Sequence, residues 1–272
     1  MYLNRLIKIA NRFLLVAVLL LCLLPTFTRA ELGHFAIISD THIGSSDSVY
    51  EDFIRIIDAQ NIKVIIHCGD AIHTPGSSKQ WKMFFDITGS NKILHIAPGN
   101  HDIKGKKSLN VFLRYFPALY HSFSDGDTLF IFLNSELPGE EGMITGKQLE
   151  WLKNELQKTY RYKFVFVHQP LFPIVGLHGL DKYKQARDEL HQLFAKQGVP
   201  LVVSGHDHLY NRRKVDGITY IIAAGSGGQT RFFSDTRYYF RYIIGKRTNG
   251  GYSFIVKDMD GNTGDEFTIN QN

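Results

Sequence analysis

Short apolar runs along the chain are separated by segments whose apolar residues recur at helical spacing. "HFAIIS" precedes a segment with Phe53, Ile54 and Ile57 on one face, "KVIIHC" precedes "KQWKMFFDI", and "KILHIA" follows. Further on come "DTLFIFLNS", a helix over Gly146 to Lys158 opened by Thr145, "KFVFVH", a helix over Lys182 to Lys196, "VPLVVSG", "ITYIIAAG" and "GYSFIVKD". A run of β-branched and aromatic residues predicts a buried strand, and the 3.6-residue period predicts an amphipathic helix. Their alternation predicts a sheet with helices on its faces, an α/β (α+β) fold. The last sixty or so residues read mostly as strands and hairpins. With no internal repeat, low-complexity tract or linker, one domain from residue 31 to residue 272 is the economical division.

The first thirty residues stand apart. Arg5, Lys8 and Arg12 lead into an apolar run from Phe13 to Phe27, and Thr28-Arg29-Ala30 offers small residues for cleavage. That is the order of an export signal, with a periplasmic or extracellular destination. The alternative is an uncleaved N-terminal anchor, for which the run is short of the roughly 20 apolar residues of a span and is interrupted by Pro25. Three leucines precede Cys22, which argues against a lipoprotein cleavage site.

Removing this segment changes the charge. The full chain carries +5, but 31 basic residues less Arg5, Lys8, Arg12 and Arg29 leave 27 against 26 acidic residues, a net +1. Charge therefore points to neither a nucleic-acid partner nor, once the signal is removed, stable membrane association. Cys68 is then the only cysteine, so no intramolecular disulfide supports the fold, and its place at the end of an apolar strand reads as a buried, inert thiol.

Polar residues cluster where the apolar runs stop, at strand ends, where α/β sheets bind ligands. "ISDTH" supplies Asp40 and His42, "HCGDAIHT" supplies Asp70, and "APGNHD" supplies Asn100, His101 and Asp102. "FVFVHQP" supplies His168, and "VVSGHDH" supplies His206 and His208. Each alone reads as a turn with a satisfied side chain. Together they form a donor set of imidazoles, carboxylates and a carboxamide, suited to Zn, Mn or Fe rather than to an all-oxygen Ca²⁺ or Mg²⁺ cage or a thiolate zinc site. Asp40, His42, Asp70, Asn100, His168, His206 and His208 exceed what one tetrahedral ion needs. They suit two ions sharing one carboxylate, an arrangement that clamps the attacking and leaving oxygens of a phosphoryl centre.

In this order the motifs resemble the calcineurin-like metallophosphoesterase superfamily. "CGDAIHTPG", "APGNHD" and "SGHDHLYNRR" are similar to the small purple acid phosphatases and their bacterial relatives. The resemblance implies a four-layer αββα sandwich, single-domain, with the site at the strand ends. It implies that Asp40, His42 and His208 hold one metal and Asn100, His168 and His206 the other, with Asp70 bridging. His101 would act on the phosphoryl group as acid or charge stabiliser, oriented by Asp102 through the ring's other nitrogen. His178 stands where those phosphatases present a substrate-loop histidine and is a second candidate general acid. Three residues after Asp70 the purple enzymes carry a tyrosine whose phenolate binds ferric iron; this chain has His73, so no tyrosinate absorption band is expected.

The resemblance implies in-line attack on a phosphate ester by a metal-activated water or hydroxide, the substrate being a phosphomonoester. The alternatives are a phosphodiesterase acting on nucleotides or lipid head groups, and a non-catalytic binding protein on the same fold. Remaining features carry blander expectations. Gly225 to Gln229, "GSGGQ", reads as a turn after a strand. "RFFSDTRYYFRY", with Arg231, Arg237 and Arg241, reads as an exposed strand or hairpin, and Lys104, Lys106 and Lys107 read as a solvated basic loop.

Overall fold

The computed structural model describes residues 32–228 and 240–270. Residues 1–30, for which an export signal is expected, and Arg231 and Arg237 lie outside the described residues.

Each predicted apolar run forms a strand. β1 (His34–Ile38), β2 (Val64–His67) and β3 (Ile93–Ile96) run parallel, and β10 (Arg241–Thr248), β11 (Gly251–Asp258) and β12 (Thr263–Asn270) extend the same sheet antiparallel, in the order β12-β11-β10-β1-β2-β3. The second sheet has the order β4-β5-β6-β7-β9-β8, built from β4 (His121–Asp125), β5 (Thr128–Phe132), β6 (Tyr162–Phe166), β7 (Leu201–Ser204), β8 (Tyr210–Val215) and β9 (Ile218–Ala223). Within it β5, β6, β7 and β9 are parallel, while β4 and β8 close the edges antiparallel.

The sheets stack because their strands are apolar on both faces. Along β1, Phe35 and Ile37 face the second sheet, whereas Ala36 and Ile38 face helices. Period-two alternation between two apolar faces is what a strand buried on both sides requires. Phe35 meets Phe130 of β5 edge to face, ring centres 5.5 Å apart, and such pairs tie the two sheets together. Helices α1 (Tyr50–Ala59), α2 (Ser78–Thr88) and α3 (Gly105–Phe112) cover the first sheet with Phe53, Ile57, Trp81, Phe84 and Phe112. Helices α4 (Gly146–Gln157) and α5 (Lys184–Lys196) cover the second with Leu152, Leu156, Leu190 and Phe194. The result is the αββα sandwich, with all described residues in one unit.

Two expectations change. The basic segment after Asp102 is a helix: Lys106 and Lys107 lie on α3, because Val111 and Phe112 need one helical turn to bury against Trp81 and its neighbours. The helix expected from Lys182 is broken at Tyr183, whose φ of −114° and ψ of 75° separate a short 3₁₀ turn, Gly179–Lys182, from α5. No helix among the described residues is long and apolar enough to cross a membrane.

Candidate metal centre

The parallel strands end at one rim, and there the chain turns sharply. Asp40, His42, Asp70, His206 and His208 all adopt positive φ, between 43° and 74°. Left-handed backbone costs free energy in any residue with a Cβ, and its concentration at one place marks a site whose side chains are held in imposed directions. The approach is close enough to demand glycine. A Cβ on Gly205 would overlap Ser39 Oγ and stand 2.5 Å from Asp40 Oδ2. One on Gly228, in the turn after β9, would run into the His208 ring.

Two donor groups result, sharing Asp70. In the first, one donor atom from each of Asp40, His42, Asp70 and His208 lies within 4.8 Å of all the others. His42 Nε2 is 3.3 Å from His208 Nε2, His208 Nε2 is 3.4 Å from Asp40 Oδ1, and His42 Nε2 is 3.8 Å from Asp70 Oδ2. In the second, His168 Nε2 is 3.4 Å from Asp70 Oδ2, 3.3 Å from Asn100 Oδ1 and 3.2 Å from His206 Nδ1. The other nitrogen of His168, Nδ1, donates to the Cys68 carbonyl at 2.8 Å, which aims Nε2 inward.

The donor chemistry fits metal ions. Lone pairs of carboxylate, amide and imidazole converge at 3.2 to 3.8 Å, spacings that cation bonds of about 2.1 Å bring about. The charges lean the same way. Burial disfavours ionised Asp40, but His208 and then His168 outweigh it and hold its pKa down at about 2. Asp70 is likewise held below the usual carboxylate range, with His168 foremost against its burial. Burial also opposes a charged His168, yet Asp70 and Asp40 raise its pKa well above the ordinary value, so with protein groups alone a proton sits where the carboxylates attract positive charge. Burial lowers His42 to about 4 and His206 to about 3, which keeps both imidazoles neutral and able to donate a lone pair at neutral pH.

His101 and His178 flank a cavity of about 350 Å³ over this rim, whose floor includes Asp70, Asn100 and His206. The expectation for Asp102 needs correction. Its carboxylate does not reach the His101 ring; it is fully buried and accepts the backbone N–H groups of Asp70, Ala71 and Gly99 at 2.8 to 2.9 Å. His101 Nδ1 instead donates to the His73 carbonyl at 2.5 Å, while the His101 backbone N–H donates to Asp70 Oδ1 at 2.7 Å. Adjacent residues on a tight turn point apart, so Asp102 buckles two metal-site loops together from beneath. Burial first, then repulsion from Asp70, pushes its pKa up to about 7. The His73 ring is exposed, its centre 5.8 Å from that of His42 and 5.7 Å from that of His101, and a nitrogen of each of the three falls within 4.8 Å of the others.

One residue was not anticipated. Asp207, between His206 and His208, accepts from His178 Nδ1 at 2.8 Å and from the Ile174 backbone N–H at 2.7 Å. His178 stacks on His206, ring centres 4.3 Å apart. The Gly225 turn also contributes, since the Ser226 N–H donates to the Asp40 carbonyl at 3.1 Å. Cys68 is buried, and burial raises its thiol pKa further.

The family model described as calcineurin-like phosphoesterase matches residues 33–210, which span both donor groups. The chain belongs to the calcineurin-like phosphoesterase family. Within that family, the chain is 29% identical over 189 residues to "Serine/threonine-protein phosphatase CPPED1" of Pongo abelii, covering 61% of this chain and 60% of that protein. The chain thus spans less than two thirds of the length of the curated relatives it matches. Among solved structures of the fold, a yellow lupin purple acid phosphatase, PPD1, superposes with a TM-score of 0.68 at 17% identity, over 87% of this chain and 53% of that one. The Plasmodium protein described as "GAP50 the anchor in the inner membrane complex" superposes with a TM-score of 0.67 at 16% identity, over 88% and 89%. At these identities the two structures speak to the calcineurin-like phosphoesterase fold alone.

Proposed function

We propose that this protein is an exported, dinuclear-metal phosphoesterase that hydrolyses phosphomonoesters. The observation that carries the reading is the single carboxylate, Asp70, shared by two converging donor groups at the floor of an open cavity. Asp40, His42 and His208 would hold one ion, Asn100, His168 and His206 the other. When bound, two such ions supply Lewis-acid charge for the phosphoryl oxygens and a lowered pKa for the attacking water. The protein groups do the rest. With Nδ1–H committed to the His73 carbonyl, His101 can donate to a phosphoryl oxygen or to the leaving oxygen only through an Nε2 that carries a proton as well. Asp207 accepts from His178 Nδ1 and so fixes the ring, and a proton carried on His178 Nε2 would pass to the alkoxide as the P–O bond breaks and the water oxygen bonds to phosphorus. The likeness to a protein named as a phosphatase supports a monoester substrate. The order of basic, apolar and small residues through Ala30 supports export.

Elemental mass spectrometry of purified protein, paired with turnover of p-nitrophenyl and bis-p-nitrophenyl phosphate after loading with Mn²⁺, Zn²⁺ or Fe²⁺, tests the reading. It requires about two metals per chain and monoester turnover. A diester preference would move the substrate class. Two bound metals without turnover of either ester would replace the enzyme reading with a binding role. Cell fractionation with mass analysis of the mature N-terminus tests export, which requires a chain beginning after Ala30.

A further inference from the structure

Seven large hydrophobic side chains are conspicuously exposed among the described residues, and three of them, Ile174, Val175 and Leu177, are on one four-residue stretch. That stretch forms a wall of the cavity over the metal rim, continued by Leu209. Leu177 is the extreme case: it is 68% exposed and has a φ of +62°, so it bears both an unfavourable solvent contact and a left-handed backbone that a branched, bulky residue resists. The stretch is anchored. Asp207 accepts from the Ile174 N–H at 2.7 Å, Asp181 accepts from the Leu177 N–H at 2.9 Å, and Arg187 holds Asp181 at 2.5 Å. An apolar surface held in a strained conformation beside a reactive centre is preorganised for a ligand. Among the described residues lining the cavity there is no lysine or arginine. A second anionic group on the substrate would find neither a lysine nor an arginine among those residues.

We infer that this wall selects the alcohol portion of the substrate, and that the preferred esters are phosphomonoesters of neutral, apolar alcohols, the phosphoryl group lying over the Asp70 rim and the alkyl or aryl part against Val175 and Leu177. This rests on the phosphoesterase reading above. Nucleotides and sugar phosphates, whose leaving groups are charged or strongly hydrated, fit the wall poorly.

Primary alkyl phosphates test this with leaving groups of closely similar acidity. The kcat/KM values for ethyl, n-hexyl and 5-carboxypentyl phosphate are compared in the metal-loaded protein and in Leu177→Asn, asparagine being at ease in left-handed backbone. Full burial of one methylene corresponds to about fourfold. Four more methylenes on a one-sided wall therefore give hexyl phosphate an advantage of about tenfold or more over ethyl phosphate, and 5-carboxypentyl phosphate, which brings a charged carboxylate to the same wall, falls below hexyl phosphate. The hexyl-to-ethyl ratio falls toward one in Leu177→Asn, and also drops in Val175→Thr, which keeps the shape and adds a hydroxyl. A flat series, a preference for the carboxylate, or ratios unchanged by both variants would overturn the inference while leaving the phosphoesterase reading intact. Absence of turnover for all three esters with metal bound would overturn that reading, and this inference with it.

Discussion

Asp102→Asn separates a structural buckle from a catalytic orienter. In the wild type one carboxylate oxygen accepts the N–H groups of Asp70 and Gly99 at 2.8 and 2.9 Å, and the other accepts that of Ala71 at 2.9 Å, all in a fully buried site. An asparagine presents one oxygen and one NH₂ group. With its oxygen toward Asp70 and Gly99, its NH₂ faces the Ala71 N–H, and that donor is left buried without an acceptor, which costs about 1–3 kcal/mol. The two surviving bonds lose their charge assistance, about 1 kcal/mol each. Relief of the burial and the Asp70 repulsion that oppose the ionised carboxylate offsets part of this sum of about 3–5 kcal/mol, leaving a Tm lower by about 5 °C in a domain of this size. Thermal unfolding followed by circular dichroism at pH 8 compares the ionised carboxylate with the amide, since Asp102 is raised only to about 7. A Tm within about 2 °C of wild type, with kcat greatly reduced, would refute the buckle and restore a role for Asp102 on the His101 ring.

Gly205→Ala drives a methyl group into Ser39 and Asp40, so it should lose at least one metal per chain by elemental analysis; full metal content would show that the close approach is not needed. His101→Ala should keep its metals and lose about 10²- to 10³-fold in kcat, because the ring faces the cavity and lies outside the two donor groups that share Asp70; metal loss equal to that of Asp70→Asn would instead make its cluster with His42 and His73 a metal site. His95 on β3 and His121 on β4 place ring nitrogens 3.1 Å apart, and burial, joined at His95 by the charge of His121, lowers both to about 4. Their contribution to stability is fully present above pH 6.5 and is lost as pH falls from there toward 4. His121→Gln should therefore flatten the fall in urea-unfolding free energy by about 1.4 kcal/mol per pH unit within that window, and an unchanged slope would refute it. Iron-loaded protein should show no tyrosinate charge-transfer band in the visible region, since His73 stands three residues after Asp70; a strong band would mean that a tyrosine from elsewhere reaches the metal.

What the sequence made legible was whatever is encoded in runs. Strands buried on both faces carry unbroken apolar stretches, so β1, β2, β5, β6, β7 and β9 could be read directly, and the polar residues ending most of them were already the candidate ligands. The edge strands β4 and β8 were harder, because "HSFSD" and "YNRRKV" are only part-buried or exposed and lack that signal. Helix α3 was hidden because Lys106 and Lys107 lie on its exposed side and its buried residues crowd its last turn. Side-chain direction within a turn is a harder problem still. Asp102 follows His101 and invites a partnership, yet it reaches the amides of residues 70, 71 and 99, which no spacing rule foretells.

Asp207 shows the same limit from the other side. Between two candidate ligands it reads as a spacer, and its meaning appears only when residues 174–178 fold back to meet it. The run "LFPIVGL" has the composition of a core segment, and in a strand it would have been unremarkable. Its Ile174, Val175 and Leu177 are exposed because Asp207 and Asp181 tie the backbone down on either side of a cavity that the main chain itself does not fill. The two aspartates therefore do what the apolar residues could not do alone, since hydrophobic side chains left to themselves would collapse onto the rim and close the site. Asp207 makes two bonds at once, one to a backbone amide of this wall and one to His178, so the proposed substrate selection, which Asp181 shares in holding, and the proposed proton delivery meet at one carboxylate.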